Sequence, residues 1–161
     1  LSQKCDEDIA LNILVETKRS CIELVESRYF VRQFVPMGKK LPLHCSAAGK
    51  VMLAYLPIQK IKEIIEGQPL ERFTPNTITD SAALIQELEN IKKNSYAESY
   101  EEYGKDAASI AFPIFDGTGE IIASISIQST VTRINEENKP TLISLGKETA
   151  EKVNKLIRVV D

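Results

Sequence analysis

The chain has 161 residues, 43% hydrophobic and 27% charged, with 20 Lys and Arg against 23 Asp and Glu and a net charge of −3 at pH 7. A chain of this size makes one ordinary globular domain and buries a full core without staples, and its apolar runs are far shorter than a bilayer span. The lysines are dispersed among glutamates, so no basic face is offered to a phosphate backbone and the chain itself is not expected to bind DNA.

The first residues, Leu1-Ser2-Gln3-Lys4-Cys5-Asp6-Glu7, have neither a basic leader region nor an apolar one, and a cytoplasmic protein is expected. The three cysteines, Cys5, Cys21 and Cys45, are an odd number at wide spacings without a Cys-x-x-Cys pair. That pattern speaks against a disulfide framework and a zinc ribbon, and predicts reduced thiols. Residues 9–15 and 21–25 are apolar runs around Glu16-Thr17-Lys18-Arg19, which predicts a β-hairpin with those four residues at its turn. Residues 31–36 are expected to add a further extended piece.

The stretch Leu41-Pro42-Leu43-His44-Cys45-Ser46-Ala47-Ala48-Gly49-Lys50 comes next, followed by the apolar Val51-Met52-Leu53-Ala54-Tyr55. Proline keeps Leu-Pro-Leu extended, Ser46 is a good helix N-cap, and the small side chains of Ala47, Ala48 and Gly49 leave the first-turn amides bare. A bare helix N-terminus attracts anions. Ile58, Ile61, Ile64 and Ile65 fall at helical spacing, and Thr79 or Asp80 can cap a second helix whose apolar face is Leu84, Leu88 and Ile91. A strand begins near Tyr96. The final segment, residues 137–159, spaces Leu142, Leu145, Thr149, Val153 and Leu156 three or four apart, an amphipathic helix lying on a sheet or a partner.

Between these, Asp116-Gly117-Thr118-Gly119 marks a second hairpin. With Phe115 opposite Glu120, an unbulged ladder pairs Ser109 with Ser126, Ala111 with Ser124 and Ala107 with Gln128 on one face. Ala108, Ile110, Phe112 and Ile114 then meet Ile127, Ile125, Ala123 and Ile121 on the other. One face is core; the other is small and polar. A solvated face usually carries long charged side chains, so serines and alanines there suit a surface covered by other chain and holding a small ligand, against the plainer reading of a half-solvated sheet.

The Leu41–Lys50 motif resembles the hallmark of the effector-binding domain of IclR-type bacterial transcriptional regulators. Glu101-Glu102, then Ser109-Ile110-Ala111-Phe112-Pro113-Ile114-Phe115-Asp116, then Ile122-Ala123-Ser124-Ile125-Ser126-Ile127 follow that family's order and spacing, so the resemblance spans most of the chain. It implies what the element order also fits: a single α+β domain over residues 1–161, GAF-like or profilin-like, with a central antiparallel sheet flanked by helices. By position it implies Ala47 and Ala48 as backbone donors, and Ser99, Ser109, Ser126 and Gln128 as side-chain contacts, to a small effector, an organic acid. No cofactor is implied. The family's N-terminal winged helix-turn-helix is absent from these residues, so DNA contact would come only through a missing N-terminal domain, in a homodimer or homotetramer. The alternative is a stand-alone small-molecule-binding protein.

Departures from the family pattern keep the effector's identity open. Ser109 stands where relatives often have Cys, Asp106 where they usually have Gly, and Gln128 and Ser99 where some ligand-contacting members have Ser and Asp. An enzyme using His44 and Cys45 is the weakest alternative, because adjacent residues entering a helix point different ways and no third group orients them. Ala48-Gly49-Lys50-Val51 lacks the upstream Gly and the following Ser or Thr of a nucleotide loop. Glu98, Glu101 and Glu102 read as a charged strand edge rather than a metal site.

Overall fold

In the computed structural model, which describes residues 1–33, 35–67 and 69–160, six strands and five helices follow one another along the chain. They are α1 (Ser2–Cys5), β1 (Asp8–Val15), β2 (Lys18–Val25), β3 (Leu41–Pro42), α2 (Ala47–Tyr55), α3 (Ile58–Glu66), α4 (Ser81–Asn94), β4 (Ala97–Tyr100), β5 (Ala107–Phe115), β6 (Ile121–Thr130) and α5 (Lys139–Val160). The strands form one antiparallel sheet in the order β3-β2-β1-β6-β5-β4, so the two hairpins meet through β1 and β6 at its centre. This is the expected α+β arrangement.

Strand alternation divides the interior into two cores. Ile110, Phe112, Ile114, Ala123 and Ile127 pack with Leu142 and Ala150 of α5 on one face. On the other, Ala97 and Ala111 pack with α2, α3 and α4 through Val51, Leu53, Ile61, Leu84 and Leu88. Helix α2 is the axle of that layer, with every residue from Ala47 to Ala54 buried. Gly49 is required where α2 turns against the strand before it, because a Cβ there would lie 2.6 Å from the Leu43 carbonyl oxygen. Among the other caps, Asp80 rather than Thr79 closes α4, its carboxylate accepting from the Ala83 amide at 2.8 Å.

Three expectations about the bounds and faces of the elements need correction. The first hairpin turns on Glu16 and Thr17 alone, so Lys18 and Arg19 belong to β2 and not to the turn. The described part of segment 31–36 is an irregular loop rather than a strand, beside a parallel bridge between Cys21 and Met37; Phe34 lies outside the described residues. In α5 the face toward the sheet runs through Leu142, Gly146 and Ala150, while Leu156 is 68% exposed.

The second hairpin is shifted by two residues from the unbulged ladder. Its loop is shorter by one residue, since the Asp116 amide donates to the Glu120 carbonyl. A bulge then leaves Ile122 unpaired between Phe115↔Ile121 and Ile114↔Ala123. Ser109 therefore faces Gln128, Ala111 faces Ser126 and Ala107 faces Thr130. A net slip of two keeps each long-ladder residue on its predicted face, because side chains alternate with period two. Ile121, on the turn side of the bulge, is the exception and joins the α2 core with Phe115.

Candidate functional site

The small polar face of the sheet is covered. Ser99, Ser109, Ser124 and Ser126 are 5%, 4%, 0% and 0% exposed, and α2 lies across the same side. Where α2 begins, the cover leaves a small polar cleft that opens to solvent. Its floor is Ser99, Ser109 and Gln128, a row brought together by the pairing of β4, β5 and β6. Ser46 and Leu41 flank the helix entrance, Glu102 and Tyr103 come from the β4–β5 connection, and Gln33, Val35 and Pro36 close it from the β2–β3 loop.

The residues predicted for this site sit at different depths. Ser99, Ser109 and Gln128 line the cavity. Ser126 lies beneath, its hydroxyl accepting from the Gln128 amide at 2.8 Å and the Asn12 amide at 3.4 Å while donating to the Ala10 carbonyl at 3.3 Å. Ala47 and Ala48 are fully buried in the first turn of α2, and the Ala48 carbonyl accepts from the Ser124 hydroxyl at 3.4 Å. Ser46 caps α2 as its sequence predicts, its hydroxyl accepting from the Gly49 amide with φ at 69°.

Sequence reasoning missed the charged part of the site. The Arg19 guanidinium is 6% exposed and lines the cavity, with Nη1 donating to Asn12 Oδ1 at 3.1 Å. Among the described residues no carboxylate pairs with it, and burial pulls its pKa down from the ordinary value. The available signal was Asn12, a polar residue inside an apolar strand and on its inward side. Glu102, read from sequence as a strand-edge charge, is instead 7% exposed and ion-paired to Lys50, which also binds Glu87. Burial is the largest influence on its carboxyl, pushing its pKa up against the pull of Lys50.

His44 and Cys45 are structural. The His44 Nε2 is 2.9 Å from the Glu71 carbonyl and its ring stacks near Phe73. Burial pushes the Cys45 thiol up to about 12, which removes the thiolate a nucleophile needs. Glu101 turns away and accepts from the Asp106 amide at 2.8 Å. Asp106 itself takes φ of 60°, the left-handed conformation in which Asp is tolerated. Among the described residues no group of three or more His, Cys, Asp or Glu could hold a metal ion, and no helix is long and apolar enough to cross a membrane.

Comparison with known proteins gives a consistent result. A family profile described as bacterial transcriptional regulator IclR C-terminal matches residues 1–155. The HTH-type transcriptional regulator KdgR of Escherichia coli (strain K12) is 33% identical over 154 residues, covering 96% of this chain and 59% of that protein, so the chain spans well under two thirds of that relative's length. The crystal structure of the Thermotoga maritima IclR superposes with a TM-score of 0.92 at 30% identity, over 97% of this chain and 63% of that one. An inducer-binding domain of the PobR transcription factor from Acinetobacter, a double mutant in complex with 3-hydroxybenzoic acid, superposes with a TM-score of 0.88 at 25% identity, over 97% of this chain and 92% of that one.

Proposed function

We propose, from the premise that the chain belongs to the IclR family of bacterial transcriptional regulators as its C-terminal effector-binding domain, that it senses a small organic acid in the cavity at the entrance of α2. The relatives it matches are regulators, not enzymes. The observation that carries the reading is the burial of Ser99 and Ser109, at 5% and 4% exposure, beside empty space and under other parts of the chain. A solvated sheet face would leave both hydroxyls in water.

In this reading Ser99, Ser109 and Gln128 contact the effector. Ser126 holds the Gln128 amide in place, and Ala47 and Ala48 keep the start of α2 small enough to approach the sheet. The domain acts in the cytoplasm within a longer regulator, as a homodimer or homotetramer, and a separate N-terminal winged helix-turn-helix contacts the operator. Control follows by linkage: an effector shifts the regulator only through unequal affinity for its DNA-bound and free states.

The test is a thermal-shift screen of small carboxylic acids against the domain and against Ser109→Leu, which fills the cavity. A ligand at about one hundred times its Kd stabilises by roughly 2.7 kcal/mol, a rise of several degrees. The expected outcome is a rise in the wild-type domain that Ser109→Leu abolishes. A folded wild-type domain that responds to no acid would overturn the reading.

A further inference from the structure

Buried polar atoms in folded proteins are almost always partnered, so those that are not point to something the chain itself does not supply. Five buried side-chain nitrogen or oxygen atoms lack a hydrogen-bond partner among the described residues: Arg19 Nε, Ser27 Oγ, Gln33 Oε1, Glu102 Oε2 and Ser129 Oγ. Arg19, Gln33 and Glu102 all line the cavity at the entrance of α2. They come from β2, the β2–β3 loop and the β4–β5 connection, so three separate parts of the chain bring unsatisfied atoms to one place.

The three atoms differ in kind. Arg19 Nε is a donor on a cation without a carboxylate partner, whereas Gln33 Oε1 and Glu102 Oε2 are acceptors. We infer that the cavity is built for a hydroxylated carboxylate, whose carboxylate is held by Arg19 and whose hydroxyls donate to Gln33 and Glu102. The inference rests on the effector-site reading above and assigns the ligand's chemical class and orientation.

Charge decides the ends. Lys50 meets two carboxylates, Glu87 at 2.7 Å and Glu102 at 2.5 Å, so that cluster repels an anion while the unpaired Arg19 attracts one. The carboxylate therefore sits toward Arg19. An ammonium group at Glu102 would answer its free oxygen equally well, but Lys50 already occupies the other oxygen of the same carboxylate and repels a second cation. A hydroxyl meets no such repulsion, and the hydroxyls of Ser99 and Ser109 and the amide of Gln128 offer it further neutral partners. The Arg19 guanidinium also forks, so Nε can bind a carboxylate oxygen while Nη1 keeps Asn12.

The experiment measures binding by calorimetry with glycerate, threonate and gluconate as probes of increasing length. Propanoate, butanoate and hexanoate are the matching acids without hydroxyls, sorbitol is the polyol without a carboxylate, and serine exchanges one hydroxyl of glycerate for an ammonium. The expected result is that at least one hydroxylated acid binds at least tenfold more tightly than its unsubstituted partner, than sorbitol and, for glycerate, than serine. Gln33→Met, on a surface loop, should weaken that binding about tenfold, the value of one hydrogen bond. Arg19→Met should weaken it more than a hundredfold; if that variant does not fold, the probe series and Gln33→Met decide the matter. Equal binding of the unsubstituted acids, preference for serine over glycerate, or unchanged affinity in folded Gln33→Met and Arg19→Met overturns the inference. If none of these probes binds while other carboxylic acids stabilise the domain in a Ser109-dependent way, the inference falls and the effector site stands; if no acid binds at all, both fall.

Discussion

Lys50 Nζ lies 2.5 Å from Glu102 Oε1 in the interior, which ties helix α2 to the connection between β4 and β5 beside the cavity that Glu102 lines. Both residues belong to the stretches that carry the family resemblance, and the contact joins them across 52 positions of sequence. Removing one member of a buried pair leaves the other charge uncompensated, which is worse than removing both. Lys50→Met should lose about 3–5 kcal/mol of stability in urea denaturation, and adding Glu102→Leu to it should recover at least half of that loss.

The same carboxyl gives a pH dependence with a definite sign. Burial raises the Glu102 pKa above its ordinary value, more than Lys50 lowers it. A group whose folded value is raised contributes stability that is full below the ordinary carboxylate range and is lost as pH rises through the folded value. Glu102→Gln removes that titration. The stability of the variant relative to the wild type should therefore increase from about pH 4 to about pH 8, and a flat difference across that window would contradict the assignment.

On the opposite face of the sheet, Gly146 of α5 sits against Phe112 of β5, and a Cβ on Gly146 would fall 1.9 Å from the ring. Alanine favours a helix over glycine by about 1 kcal/mol, but here the overlap dominates. Gly146→Ala should destabilise the domain by about 1–3 kcal/mol, and Phe112→Leu in the same chain should relieve part of the clash. Equilibrium denaturation of the single and double variants measures both.

Thiol chemistry separates the sensor from the remaining enzyme reading. Cys45 is fully buried with its pKa pushed up to about 12, whereas Cys5 is partly exposed. At pH 8 iodoacetamide should label Cys5 first, and Cys45 only at the rate at which the domain opens. Rapid labelling of Cys45 in the folded domain would restore it as a candidate nucleophile.

Local rules were enough for much of this. Ser46 and Asp80 cap α2 and α4, and the spacing of Leu84, Leu88 and Ile91 marks the buried side of α4. The two faces of the second hairpin were also legible, since alternation survives a slip of two. What failed was register, because a loop one residue shorter and a bulge at Ile122 each shift the pairing by one residue in the same direction.

The sequence by itself determined the α+β architecture, the family, and the small, polar character of the face made by Ser99, Ser109, Ser126 and Gln128, because caps, periodicity and motif spacing act over a few residues. Only the tertiary structure decided where the charges lie. Glu16-Thr17-Lys18-Arg19 is as polar as any exposed turn, yet β3 pairs beside Arg19 and the loop through Gln33, Val35 and Pro36 closes over the same cavity. Glu102 likewise looks like a surface residue until α2 brings Lys50 to it. The burial of a charge is a property of what folds over it, and residues distant in sequence supply that cover.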